Sequence, residues 1–137
     1  AEVGVMPIEF GAGRAGYYFD GKKEDTFGNG LPDDLGIKSE ADMVGLLGRG
    51  EEMFNVHCSI CHGKSGNGKG VVSHHLEQVG VGVPSLHNYP QETSPDGYIY
   101  EVISNGKGLM GGYKHNLPVR DRWAIVSYLR ALQASAK

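Results

Sequence analysis

The feature that most constrains this chain is the segment Cys58-Ser59-Ile60-Cys61-His62, which contains both of its cysteines. Two thiols three residues apart on a helical turn can reach the two vinyl groups at one edge of a porphyrin. The histidine that follows then lies under the iron and offers an imidazole nitrogen. The spacing therefore predicts one haem c, covalently bound through Cys58 and Cys61, with His62 as an iron ligand.

Three other interpretations of the two cysteines remain. A dithiol redox site shares the C-x-x-C spacing, but it is typical of a βαβ unit, whereas the flanks here indicate a helix and a glycine-rich loop. A zinc site needs two more ligands, and His74 and His75 could supply them, but there is no second cysteine pair. A disulfide between such close cysteines would be strained and would close almost no loop.

A haem held in this way usually takes a second axial ligand, and methionine or histidine can serve. Met110 is the only methionine after the cysteine segment. It stands in the glycine-rich stretch 105–113, which can fold over a flat ring without side-chain clashes. We therefore predict Met110 as the second iron ligand. The rival ligands are His74, His75, His87 and His115.

The sequence predicts an all-α fold with three main helices joined by loops rich in glycine. The ranges are about 39–61, whole or in two pieces divided near residue 48, then 95–104 and 119–134. Ser39 followed by Asp42 is typical of a helix N-terminus. Ser94 before Pro95 predicts the N-cap of the second helix. Residues 63–94 contain many glycines and prolines and are predicted to be a loop.

The chain divides by pattern into two parts. Residues 1–38 show no helical or strand period and combine turn residues with aromatic ones, a composition that argues against a disordered tail. We predict an irregular extension that packs on the domain or tethers it. Residues 39–137 are predicted to be the haem domain. Because no basic and apolar leader opens the chain, we expect a mature or trimmed product, and a membrane tether upstream stays open.

Charge is distributed unevenly along the chain. Residues 1–56 carry 11 acidic and 5 basic side chains, a balance of −6, whereas residues 57–137 carry 5 and 8, a balance of +3. That excess is too small and too scattered for nucleic acid. It suits a positive docking patch for an acidic partner protein. The lysines expected around the exposed haem edge are Lys64, Lys69, Lys107 and Lys114. No apolar run approaches the length of a membrane span.

Together these residues resemble the class I c-type cytochromes, monohaem proteins with His and Met as iron ligands. The resemblance covers about residues 48–137. It rests on Gly50 and Phe54, the segment 58–63, Val83-Pro84-Ser85-Leu86, the stretch from Asn105 to Met110, and the stretch from Asp121 to Arg130. The stretch 96–113 is also similar to the monohaem cytochromes associated with bacterial alternative complex III. Gly111 departs from the pattern, because many members have proline there.

The resemblance implies a class I cytochrome c fold, in which three main helices and glycine-rich loops surround one haem. It also implies that the carbonyl of Pro84 accepts a hydrogen bond from His62, although a simple turn proline is the alternative. Tyr89 and Trp123 are expected near the haem propionates, or else in the ordinary core. Gly50 and Phe54 are expected to pack on the C-terminal helix near Tyr128.

The expected function is single-electron transfer in a respiratory chain. The partners implied are acidic redox proteins, such as a quinol-oxidising complex and a haem-copper terminal oxidase. Because haem is attached to this motif outside the bacterial cytoplasm, we expect a monomer in the periplasm or on the outer face of the membrane. With both axial positions of the iron filled, the chain is expected to be an electron carrier and not an enzyme. The alternative is a haem enzyme or gas sensor with a labile sixth ligand.

Overall fold

The structure, a computed structural model, describes residues 9–11 and 13–135. The predicted all-α fold is confirmed, because helices dominate and the strands form only two small hairpins. The helices are α1 (Tyr17–Asp20), α2 (Glu40–His57), α3 (Ser59–His62), α4 (Val71–Gln78), α5 (Asp96–Asn105) and α6 (Val119–Ser135). The strands are β1 (Lys22–Lys23) with β2 (Thr26–Phe27), and β3 (Gly106–Lys107) with β4 (Met110–Gly111), both pairs antiparallel. Short 3₁₀ turns occupy Asp33–Leu35 and Leu86–Asn88.

The core lies where α2 crosses α6. Gly50 packs directly on the backbone of Ala124, so that a Cβ at position 50 would collide with the Ala124 carbonyl. One turn later, Phe54 is 1 % exposed, and its ring centroid lies 5.4 Å from that of Tyr128. The expected contact of Gly50 and Phe54 with the C-terminal helix is therefore present, and a glycine is required for the close approach of the two backbones.

The helices differ from the sequence-based expectations in two places. The first helix is not divided near residue 48, because α2 runs unbroken to His57 and the break falls at Cys58. Its predicted start is confirmed, since Ser39 Oγ accepts a hydrogen bond from the Asp42 amide at 3.1 Å. The stretch predicted as one loop, 63–94, contains helix α4. Glycines on both sides of α4 hid it from the sequence pattern.

The N-cap predicted for the second helix was also wrong. Helix α5 begins at Asp96, and Ser94 makes no capping bond. The Asp96 amide donates instead to Asn29 Oδ1 at 3.0 Å, from 67 residues earlier in the chain. A helix N-terminus needs an acceptor for its free N–H groups, but any nearby side chain can supply it. Here the cap is a tertiary contact.

Residues 9–37, which we call the front segment, contact α5 and α6 through hydrogen bonds. The Trp123 indole donates to the Tyr18 carbonyl at 2.8 Å, the Tyr100 hydroxyl to the Phe19 carbonyl at 3.1 Å, and the Val119 amide to the Glu9 carbonyl at 2.7 Å. Residues 1–8 and 12 of the predicted extension lie outside the described residues. The division of the chain at residue 38 stays a prediction. Within the part of the chain that is described, no helix combines the length and apolar character needed to cross a bilayer.

Candidate haem site

Helix α3 is a single turn that displays the cysteine segment. Cys58 ends α2, where its amide donates to the Phe54 carbonyl at 2.8 Å. The amides of Cys61 and His62 then both donate to the Cys58 carbonyl, at 3.2 and 2.9 Å. Both cysteines are half-buried free thiols, so the structure does not form the alternative disulfide. One turn of helix thus carries all three predicted haem-binding groups.

The thiols lie in an apolar setting. Burial, with a further contribution from Cys61, raises the pKa of the Cys58 thiol to about 12. The thiol is therefore protonated at neutral pH, unlike the thiolate of a dithiol redox site. Across the described ranges, no group of three or more His, Cys, Asp or Glu side chains could hold a metal ion, so the zinc alternative gains no support.

His62 has an unsatisfied buried nitrogen. Burial lowers the pKa of His62, which keeps the ring neutral at neutral pH, and the carbonyl of Pro84 partly opposes this shift. The carbonyl therefore lies near the ring, yet Nδ1 has no partner with hydrogen-bond geometry among the described residues. A bond from Nδ1 to that carbonyl would place the proton on Nδ1 and leave Nε2 free to bind iron. The ring therefore fits the predicted ligand role.

A glycine loop after α3 brings the segment of Pro84 against the histidine. The Gly68 amide donates to the His62 carbonyl at 2.7 Å. Gly68 has a φ of +84°, and a Cβ there would lie 3.1 Å from the Pro84 carbonyl oxygen. The Gly66 carbonyl also accepts from the Leu86 amide at 2.6 Å. A side chain at Gly68 would push the two segments apart, because its Cβ would also lie 2.6 Å from the Val83 carbonyl oxygen.

Met110 lies on a hairpin, residues 106–111, which we call the methionine hairpin. Lys107 pairs with Met110 in the antiparallel register. Met110 is half-buried, whereas the neighbouring Leu109 is 84 % exposed. Gly106 has a φ of +83° and packs on the backbone of the opposite strand, so its lack of a side chain lets the hairpin close. Around the Cβ position of Gly111 there is open space, so the proline of other members would meet no steric obstacle from that atom.

Tyr113 is a site residue that the sequence did not reveal. Its hydroxyl donates to the His57 carbonyl at 3.2 Å, and its ring lies edge-on to that of His57 at 5.4 Å. Burial raises the pKa of Tyr113, and the proximity of Cys58 and Cys61 adds to this shift. The tyrosine thus ties the chain just after the methionine hairpin to the end of α2. In the sequence, the one feature that could have indicated this role is an aromatic residue directly after two glycines.

The remaining predicted site residues are less clearly placed. Trp123 is fully buried and stacks on Tyr100 with centroids 4.4 Å apart. Its indole N–H already bonds to the front segment, an arrangement that favours the ordinary-core alternative. A hydrogen bond to the Tyr98 hydroxyl is the main cause of the raised pKa of Lys107, and Tyr89 lies close enough to that lysine to add to the shift. For both residues, contact with haem stays a prediction.

Three of the rival histidines are exposed, and the fourth lies within hydrogen-bond distance of a backbone carbonyl. His74 and His75 are exposed on α4, and His115 is exposed after the methionine hairpin. The His87 ring nitrogen Nε2 lies 2.7 Å from the Ser65 carbonyl oxygen. All four lysines expected at the haem edge are exposed: Lys64, Lys69, Lys107 and Lys114.

Two free thiols and a neutral imidazole on one turn, linked to a methionine hairpin, are the donor set that haem c requires. With the helical fold, they define a c-type cytochrome domain of class I. A family model described as "Cytochrome C oxidase, cbb3-type, subunit III" matches residues 45–129, and the chain belongs to that family.

Known proteins similar to the chain are also cytochromes c. Cytochrome c-L of Methylorubrum extorquens is 27 % identical over 97 residues, which are 70 % of this chain and 45 % of that protein. Two solved structures have a TM-score of 0.48 and cover 64 % of this chain: cytochrome cL from Hyphomicrobium denitrificans (31 % identity, 48 % of that chain) and from Methylophaga aminisulfidivorans (26 %, 55 %). The chain spans about half the length of these relatives.

Proposed function

We propose that this member of the cytochrome c family is a monohaem electron carrier. One haem c is held by Cys58 and Cys61, with His62 and Met110 as the iron ligands. The carrier passes single electrons from a quinol-oxidising complex to a haem-copper oxidase, in the periplasm or on the outer face of the membrane. The observation that supports this most is the neutral, incompletely bonded ring of His62, on the same helical turn as two free thiols.

When bound, haem supplies a one-electron iron couple. The protein's part is to hold the donors still, because a site that changes little between oxidation states needs little reorganisation. The bond from Tyr113 to the end of α2 keeps the methionine hairpin against the helix that ends at Cys58. The glycine contacts of the hairpin hold Met110 by backbone pairing. With His62 and Met110 both as ligands, the haem would have no position free for a substrate, which would favour electron transfer over catalysis.

The lysines support a docking role. Lys64 and Lys69 lie in the loop after the cysteine segment, and Lys107 and Lys114 lie on either side of Met110 in sequence. All are exposed, so their charges can attract an acidic partner over a distance set by the ionic strength. The rate constant for reduction by such a partner is expected to fall steeply as salt is added.

The spectrum of the ferric protein tests the ligand assignment. We expect a low-spin haem with the weak far-red band of an iron–thioether bond, and pigment that resists acid–acetone extraction. Met110→Ala is expected to abolish the far-red band. Met43→Ala is the matched control, because Met43 lies on α2 beside the core and not on the methionine hairpin.

A high-spin wild-type spectrum that changes with carbon monoxide would contradict the assignment and favour the enzyme or sensor alternative. A far-red band that survives in Met110→Ala would show that another residue is the ligand.

A further inference from the structure

A cavity with a volume of about 320 Å³ lies apart from the cysteine segment and Met110. It lies between the front segment, the end of α5, the residues after the methionine hairpin and the first turns of α6. Its lining includes Phe10, Phe19, Ser104, Lys114, His115 and Arg122. The volume is in the range of a small-ligand site. The proposed electron-carrier role uses only Lys114 from this set.

Arg122 is the unusual member of the lining. It is 2 % exposed, yet its hydrogen bonds all go to uncharged acceptors. These are the Leu117 carbonyl at 3.1 Å, Ser104 Oγ at 2.8 Å and the Phe10 carbonyl at 2.6 Å. Burial lowers the pKa of Arg122, and tyrosine hydroxyls alone, among the described residues, oppose that shift.

Another arginine of α6 is satisfied differently. Arg130 pairs with the buried carboxylate of Asp96 at 2.6 Å. Among the described residues, Arg122 has no carboxylate within ion-pair distance, and Glu9 is engaged with Arg14 at 3.3 Å. A buried charge is costly unless an opposite charge compensates it. The Tyr100 ring, whose centroid lies 5.3 Å from Arg122 Cζ, compensates part of the charge. Because no carboxylate completes the compensation among the described residues, the site can accept an anion from outside.

The remaining geometry identifies the kind of anion. A guanidinium has five N–H groups, and three are used, which leaves one on each terminal nitrogen. Such a fork matches two oxygens of a phosphate group. Lys114 and His115 line the same cavity and are exposed, so they can add charge at its mouth. Three basic side chains suit a doubly charged ligand better than a single carboxylate.

We propose that this cavity binds a phosphate-bearing anion, with Arg122 at its base and Lys114 and His115 at its rim. The rings of Phe10 and Phe19 provide apolar walls for any organic part of the ligand.

Calorimetric titration of the holoprotein with inorganic phosphate, at constant ionic strength maintained with chloride, tests the proposal. We expect saturable binding of one phosphate per chain. The double variant Lys114→Gln/His115→Gln is expected to bind about tenfold more weakly, because two charge-assisted contacts are lost. The control Lys64→Gln/His74→Gln removes the same residue types elsewhere on the surface, and its affinity should equal that of the wild type.

Arg122 is not substituted in the main test, because its bonds to Phe10 and Leu117 are part of the fold. The absence of saturable heat would overturn the proposal. Equal weakening in both double variants would also overturn it, since general electrostatics would then explain the binding. A third variant, Glu2→Gln, removes a carboxylate that lies outside the described residues. If phosphate bound to this variant and not to the wild type, Glu2 would be the partner of Arg122 and the proposal would be wrong.

Discussion

The haem side and the front side of this molecule are held together in different ways. On the haem side, the loop after α3 and the methionine hairpin are held mainly by backbone bonds over short sequence distances, such as the bond from the Gly70 amide to the Cys61 carbonyl at 3.1 Å, nine positions apart. On the front side, side chains bond across 66 to 112 residues, as in the contact of Arg122 with the Phe10 carbonyl. The chemistry therefore resides in locally determined structure, whereas the front side depends on tertiary contacts.

The largest effect is expected on the haem side, from removal of the two thiols. In Cys58→Ala/Cys61→Ala the covalent link is lost, so acid–acetone should extract all of the pigment, as judged from its absorbance. The control Ser59→Ala changes a hydroxyl on the same turn that only bonds to the Asn55 carbonyl at 2.8 Å, and its pigment should stay with the protein. Pigment retained by the double variant would refute covalent attachment through these cysteines.

The second prediction concerns the helix crossing that lies between the two sides. Gly50→Ala places a methyl group against the Ala124 carbonyl, and we expect a loss of about 1–3 kcal/mol in the free energy of unfolding. Gly48→Ala, on the same helix, meets open space and should stabilise by about 0.5–1 kcal/mol, because alanine favours helix. Denaturant unfolding measures both, and similar effects from the two substitutions would contradict the close approach.

The third prediction probes the front side through its tertiary cap. Asn29→Ala leaves the first amide of α5 without its acceptor, and we expect a loss of about 1 kcal/mol in unfolding free energy. Ser94→Ala is the matched control, since the Ser94 side chain makes no capping bond. Its backbone carbonyl still accepts from Arg130, so we expect a smaller loss of stability than in Asn29→Ala. A larger loss of stability in Ser94→Ala than in Asn29→Ala would contradict the tertiary cap and support Ser94 as the N-cap, as the sequence predicts.

What the sequence could predict follows the same division. Cys58, Cys61 and His62 are recognisable because their chemistry depends on spacing within one turn. Ser39 is recognisable as an N-cap because the amide that donates to its hydroxyl oxygen lies only three residues later. The cap from Asn29 could not be predicted, since no local pattern shows which distant loop meets α5.

Helix α4 was missed for a related reason. Its eight residues, Val71–Gln78, stand between glycines that are typical of loops. Gly70, before the helix, serves a close backbone contact, because a Cβ there would collide with the Ile60 carbonyl, whereas Gly80, after the helix, has a φ of +82° and open space around its Cβ position. Composition alone does not distinguish a glycine that gives the backbone conformational freedom in a loop from a glycine that lets two backbones pack closely.

An effect no larger than that of Asn29→Ala is expected from Tyr113, whose side-chain bond spans 56 residues on the haem side. Tyr113→Phe removes the bond to the His57 carbonyl, and we expect a loss of about 0.5–1.5 kcal/mol in unfolding free energy. Because that bond holds the methionine hairpin against α2, we also expect imidazole to displace Met110 at a concentration about fivefold lower than in the wild type. Loss of the far-red band measures this displacement. Tyr18→Phe removes a hydroxyl on the front side and keeps the carbonyl that accepts from Trp123, so it should leave displacement unchanged. Equal imidazole sensitivity in both variants would mean that the backbone pairing of Gly106 and Gly111 alone holds the methionine hairpin.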